Sequence, residues 1–231
     1  MAEVTVISLG GSIIVPDSVD IPFLSAFCSA AASYLDASSD RKLVLVTGGG
    51  APARIYQEAY RKVRSNPSSS MQDMIGIAAT RLNAQLMYGL LEQYCSPNVV
   101  TDPTSDVDFS SQVLIAAGWK PGFSTDTVAV YLAERFKAER VINLSNIEKV
   151  YTADPKKDPD AVPLDHMSWG DFRAMVGDDW VPGKHVPFDP VAAKRASEIG
   201  LEIICSLGRD IDNTLNILHR REFTGTSIGP E

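Results

Sequence analysis

LVTGGGAPAR, residues 45–54, is the stretch on which the fold turns. It runs from apolar, strand-type residues through Gly48, Gly49 and Gly50 into Ala51-Pro52-Ala53-Arg54. The last four read as a first helical turn, with Pro52 where a missing N–H is tolerated. Glycine adopts backbone angles closed to other residues and lets another group lie against bare main chain. Three in succession between a strand and a helix mean either a very tight turn or a place where something rests on the backbone. A helix N-terminus at that point adds unpaired N–H groups and the positive end of the helix dipole, which attract anions.

Working outward, residues 4–9 form a β-rich run closed by Gly10-Gly11, and residues 43–46 are apolar throughout, as in a strand covered on both faces. Residues 113–116, 140–144 and 201–205 read as further strands, with 226–228 as a last edge strand. Residues 22–36 carry Phe23, Leu24, Phe27, Ala31, Tyr34 and Leu35 at helical spacing. Helices are also expected from residue 51, over 71–94, over 125–137, and over 168–176, 190–199 and 210–220. Residues 65–70, SNPSSS, read as a mobile surface loop. Strands alternating with helices predict an α/β fold, a three-layer αβα sandwich on a largely parallel central sheet. Ligands on such sheets sit beyond the carboxyl ends of the strands. The glycine-rich stretches 10–11, 48–50 and 118–122 all fall at such ends, which points to one anion-binding site built from several loops.

Composition narrows the function. The chain of 231 residues suffices for one or two domains with a sizeable core. A net charge of −8 argues against a nonspecific binder of nucleic-acid polymers, while backbone N–H groups can still hold a small phosphate. No stretch approaches the roughly 18 consecutive apolar residues of a membrane span, and the N-terminus enters a strand directly, unlike a signal segment. Cys28, Cys95 and Cys205 are widely spaced and odd in number, so they read as reduced, mostly buried thiols of a cytoplasmic protein. His166, His185 and His219 are equally scattered, which argues against a zinc site; no residue is assigned as a metal ligand.

Each candidate motif has a plain reading beside a functional one. Gly10, Gly11 and Ser12 form a tight turn or a phosphate cradle to which Ser12 adds a hydroxyl. Neither glycine turn has the GxxxxGK[ST] or GxGxxG pattern. Arg54, one turn into its helix, is a surface arginine or reaches the same anion. Asp73, near the start of the long helix, offsets the helix dipole or accepts hydrogen bonds from ligand hydroxyls. Thr80, Arg81 and Asn83 are a polar island in that helix, explained by packing, by contacts between subunits or by a ligand. In Gly118-Trp119-Lys120-Pro121-Gly122-Phe123-Ser124-Thr125-Asp126, Ser124 or Thr125 can cap the next helix, but a cap explains one residue of the set. After the 140–144 strand, Ser145, Tyr151 and Asp154 belong to a hairpin and charged loop, or give a nucleoside a ring face and polar contacts.

Taken together, SLGGSIIVP, VTGGGAPAR, DMIGIAATRLNAQL, GWKPGFSTDTVAVYLAE, NLSNIEKVYTADPKKDPDA and PFDPVAAKRASEIGLEIIC occur in an order that resembles the amino-acid kinase family, and within it the archaeal-type uridylate (UMP) kinase branch. The resemblance covers nearly the whole chain. It implies a single domain over 1–231, with an acceptor-binding half at about 1–137 and an ATP-binding half at about 138–231. It implies Mg²⁺ with ATP, and transfer of the γ-phosphoryl group to UMP in pyrimidine nucleotide synthesis. Gly10, Gly11, Ser12 and Gly50 would line ATP phosphates, with Ser145, Tyr151 and Asp154 on its nucleoside. Gly49 would face the UMP phosphate, Asp73 its ribose, and the loop of Trp119, Lys120, Pro121, Gly122, Phe123, Ser124 and Thr125 would close over it. Arg54 would neutralise charge between the substrates and Asp126 would organise the transfer centre. The resemblance also implies a homo-oligomer, most often a hexamer.

The chain departs from the family pattern in three places. Ser8 stands where many members carry lysine, which leaves Lys120 and Lys184 as candidate cations. Glu148-Lys149 replaces a more usual Asp-Gly, and Trp119-Lys120 is unusual in the acceptor loop. A noncatalytic nucleotide- or oxyanion-binding protein, or a kinase with another small acceptor, remains the alternative at this point.

Overall fold

The structure, a computed structural model, describes residues 3–155, 157–178 and 186–230. Its strands are β1 (Glu3–Leu9), β2 (Arg41–Thr47), β3 (Val113–Ala116), β4 (Arg140–Ser145), β5 (Val150–Tyr151), β6 (Pro163–Leu164), β7 (His166–Ser168), β8 (Glu202–Leu207) and β9 (Thr226–Gly229). Its helices are α1 (Gly11–Ile14), α2 (Ile21–Asp36), α3 (Gly50–Val63), α4 (Ser69–Leu90), α5 (Thr125–Phe136), α6 (Trp169–Val176), α7 (Pro190–Glu198) and α8 (Ile211–Leu218). Seven strands form one sheet in the order β3-β2-β1-β4-β8-β9-β7. The pairs from β3 through β8 are parallel, β9 runs antiparallel to β8, and β7 runs parallel to β9. β5 and β6 make a separate antiparallel ribbon.

The two-residue period of a strand sends alternate side chains into two cores. Val6, Val44, Val46 and Val141 join the core that contains buried residues of α5, α6 and α7. Ile7, Leu9, Leu43, Leu45 and Ile142 join the opposite core, under α1, α2, α4 and α8. Burial on both faces explains why β2, over residues 43–46, and β3 read as continuous apolar runs and β1, β4 and β8 as mostly apolar ones. The same alternation puts Ser8 on the Val6 face, beneath α5.

Three expectations change in detail. The 226–228 strand lies inside the sheet, between β8 and β7, so the edges are β3 and β7. β7 is only three residues long, too short to show a period in the sequence. The serine patch is the start of a helix rather than wholly a loop: Ser68 caps the Met71 N–H and α4 begins at Ser69. Its expected continuation to residue 94 stops at Leu90, followed by a 3₁₀ turn over Glu92–Tyr94. Lys184 lies outside the described residues.

The glycines of the opening stretch answer to each other. A Cβ on Gly11 would fall within 2.6–2.7 Å of the Gly48 carbonyl carbon and the Gly49 nitrogen, and a Cβ on Gly48 would overlap the Gly11 amide. Gly50 has φ +66°, in the left-handed region. The two turns after β1 and β2 therefore pack backbone on backbone. Gly11→Ala is expected to lower the unfolding free energy by about 3 kcal/mol, the upper end for overpacking. Gly89→Ala, in α4 with open space around it, is expected to raise it by about 0.5–1 kcal/mol. Urea denaturation of both variants checks this; equal stabilities would contradict the packing.

Candidate active site

The site is assembled at the carboxyl ends of β1, β2, β3 and β4. The Gly10 N–H donates to the Leu144 carbonyl (2.8 Å) and the Gly48 N–H to the Leu9 carbonyl (2.9 Å), which stitches both glycine turns to the sheet. The Ala51 N–H donates to Val15 (2.9 Å), fixing α3 to the end of α1. After these bonds, the N–H groups of Gly11, Ser12, Gly49 and Gly50 have no acceptor among the described residues. Such a group of free donors beside two helix starts is suited to phosphate oxygens.

The polar island of α4 turns inward and serves packing. Asn83 Nδ2 donates to the carbonyls of Gly48 (2.7 Å) and Gly49 (3.2 Å), holding the turn from behind. Thr80 Oγ1 accepts the Gly118 N–H at 2.8 Å, and an Arg81 Nη2 donates to the Trp119 carbonyl at 3.2 Å. One helix thus carries the second glycine turn and the base of the acceptor loop together.

That loop is built on its own aromatic rings. Trp119 lies 4.7 Å from Phe123 and 5.9 Å from Tyr131 between ring centroids. Lys120 Nζ sits 3.8 Å above the Trp119 ring and 5.0 Å from that of Phe123, so this cation is engaged in cation–π contact. Ser124 caps α5 by accepting the Thr127 N–H at 3.2 Å, as the plain reading held. Gly122 has φ +84° and its N–H donates to Asp73 Oδ2 at 2.9 Å, so Asp73 reaches the acceptor loop from α4.

Arg54 is exposed and donates to the Pro16 carbonyl at 2.8 Å. Arg209, which sequence reading did not single out, pairs with Asp20 at 2.6 Å on the far side of the same loop. Between them the 15–20 loop is held from two flanks.

Asp126 is half-buried in the first turn of α5. Its Oδ1 accepts the Ser8 hydroxyl at 2.9 Å and its Oδ2 accepts the Asp189 N–H at 3.2 Å. Burial, and then the nearby Asp189 carboxylate, push Asp126 up to about 6, against the two hydrogen bonds that lower it. Asp189 is itself buried and caps α7 through the Ala192 N–H at 2.8 Å. Asn143 Nδ2 donates to the Pro187 carbonyl at 2.9 Å, clamping the segment before α7. Asp189 escaped sequence reading although its signal was present: an Asp-Pro pair before a helical run is a cap followed by proline at the first helical position.

Ser145 lies at the end of β4, where its carbonyl accepts the Gly208 N–H at 2.8 Å, close to the Leu144–Gly10 bond. Tyr151 and Asp154 stand apart, on and after β5 of the two-stranded ribbon. The Val150 N–H anchors that ribbon to Thr226 of β9 at 2.8 Å. Thus the glycine turns, Ser8, Asp126, Asp189 and Ser145 are joined by direct hydrogen bonds or close backbone packing, and the ribbon residues flank them.

Comparison with known proteins agrees with this architecture. A sequence profile described as the amino acid kinase family matches residues 3–205. The uridylate kinase of Methanospirillum hungatei is 35% identical over 226 residues, covering 96% of this chain and 93% of that protein. The crystal structure of the uridylate kinase from Archaeoglobus fulgidus superposes with a TM-score of 0.83 at 32% identity, covering 97% of this chain and 99% of that one. A UMP kinase structure from Bacillus anthracis, at 18% identity and a TM-score of 0.78 over 99% of this chain and 96% of that one, shares the fold. With two glycine turns meeting at the strand ends and the family profile spanning most of its length, the chain belongs to the amino acid kinase family.

Proposed function

We propose that the chain is a UMP kinase that moves the γ-phosphoryl group of ATP to UMP, giving ADP and UDP. The observation that carries this reading is the meeting of two uncharged backbone cradles within one packed unit, in a chain similar over nearly its full length to uridylate kinases. Gly10, Gly11, Ser12 and Gly50 face the ATP phosphates, and Ser145, Tyr151 and Asp154 its nucleoside. Gly49 faces the UMP phosphate, Asp73 the ribose, and the loop from Trp119 to Thr125 covers the acceptor. Arg54, one turn into α3, would leave the Pro16 carbonyl to bring its guanidinium to phosphate oxygens.

In the transfer, an ionised oxygen of the UMP phosphate forms a bond to the γ-phosphorus, and the bond from that phosphorus to the β,γ-bridging oxygen breaks. The acceptor arrives deprotonated, so no general base is needed, and a site without a catalytic histidine suffices. What the protein supplies is position and charge stabilisation. The free N–H groups of Gly11, Ser12 and Gly50 fit the phosphates of a nucleotide, which would carry Mg²⁺ with it to offset phosphate charge. Asp126 organises the centre by joining the end of β1 to the start of α7.

The reading includes the cytoplasm and pyrimidine nucleotide synthesis as setting. It is supported by three unpaired cysteines, whose thiols burial pushes up to about 11 at Cys28 and Cys95 and about 12 at Cys205, leaving them protonated and inert. It also includes a homo-oligomer, a hexamer by resemblance. Supporting this, Met71, Met74, Leu82 and Leu90 are exposed on α4, beside exposed Ile55, Tyr56 and Val63 on α3. Leu82→Glu should lower the mass measured by sedimentation; a monomeric wild type would contradict the assembly.

Coupled ADP release with MgATP and a panel of UMP, CMP, dUMP, AMP and acetylglutamate tests the activity. UMP is expected to drive release, whereas ATP turnover independent of any acceptor would refute the reading. Asp73→Asn should raise the KM for UMP about tenfold or more while leaving that for ATP within about twofold. Equal effects on both, or none on either, would remove Asp73 from the acceptor site.

A further inference from the structure

We propose that Ser8 is a positioning residue of the transfer centre, its hydroxyl holding the Asp126 carboxylate in the one orientation that also receives the Asp189 amide. The kinetic consequence rests on the UMP kinase reading; the geometry does not. Parallel register sets Ser8 of β1 beside Asn143 of β4, and Asn143 beside Cys205 of β8. These three buried side chains form a row across the sheet on the face covered by α5 and α7. Ser8 donates to Asp126 Oδ1 at 2.9 Å. Asn143 holds the Pro187 carbonyl at 2.9 Å, two residues before the Asp189 N–H that meets Oδ2 at 3.2 Å. Each carboxylate oxygen therefore has one donor from a different element, which fixes the plane of the group.

Asp189, at the start of α7, and Cys205, on β8, are the titratable groups facing Asp126 among the described residues. Neither brings positive charge. Burial and Asp189 favour the protonated form of Asp126, while Ser8 and the Asp189 N–H favour the anion, leaving it at about 6. Removing the Ser8 donor should make the anion harder to form, so the group would titrate at higher pH. An aliphatic replacement of similar size would fill the space but lose both orientation and this bias.

The test compares wild type, Ser8→Ala and Ser8→Thr by steady-state kinetics across pH, with the Asp126 carboxyl carbon followed by NMR titration in the same full-length proteins. Ser8→Ala is expected to lower kcat about tenfold, to keep both KM values within about twofold, and to move the acid limb of kcat and the carboxyl titration to higher pH. Ser8→Thr, which keeps the hydroxyl, should restore all of these towards wild type. Wild-type kcat and titration in Ser8→Ala would overturn the proposal. So would equal losses in the two variants with an unmoved titration, which would make Ser8 a packing residue. The titration is read without turnover. A wild type that released no ADP with UMP would therefore refute the kinase reading while the titration still decided the role of Ser8.

Discussion

The turns after β1 and β2 lie against each other with no side chain between them. A single Cβ on Gly11 or Gly48 would occupy space filled by the other turn. Much of the site depends on this contact. It fixes the start of α1 relative to the start of α3, and it gathers the free N–H groups of both turns into one patch. The sheet reinforces it through the Gly10–Leu144 and Gly48–Leu9 bonds, and α4 through Asn83. A backbone surface of this kind is assembled on folding, so its N–H donors are preorganised for an anion.

Charge is distributed with the same economy of side chains. Among the described residues, three cations near the site have partners of their own: Arg54 the Pro16 carbonyl, Arg209 the Asp20 carboxylate, Lys120 the rings of Trp119 and Phe123. The centre itself holds two carboxylates, Asp126 and Asp189, close enough to raise the first. Two carboxylates this close are unfavourable as a pair of anions unless hydrogen bonds hold them. Ser8, Asn143 and the α7 cap supply hydrogen bonds there, and among the described residues no cation pairs with either carboxylate. At Ser8 the Asp126 carboxylate is met by a hydroxyl donor.

The sequence was most legible where one local pattern sufficed. The runs of β1, β2, β3, β4 and β8 and the glycines after them were placed to within two residues, because burial on both faces leaves a mostly apolar signature. The cap at Ser124 was readable for a similar reason. What escaped depended on distant partners. The Ser8–Asp126 bond spans 118 positions, and Asp189 meets Asp126 across 63. The inward turn of Thr80, Arg81 and Asn83 required knowing that the 48–50 turn and the acceptor loop both lie against α4. β7, with three residues, had no period to read.

The central claim is that bare backbone, not a charged side chain, forms the phosphate-binding surface. Amide NMR of the full chain, titrated with a nonhydrolysable MgATP analogue and with UMP, tests it most directly. The account predicts that the analogue shifts the Gly11, Ser12 and Gly50 amides and that UMP shifts Gly49. Saturable binding of both ligands with these four amides unmoved would contradict it.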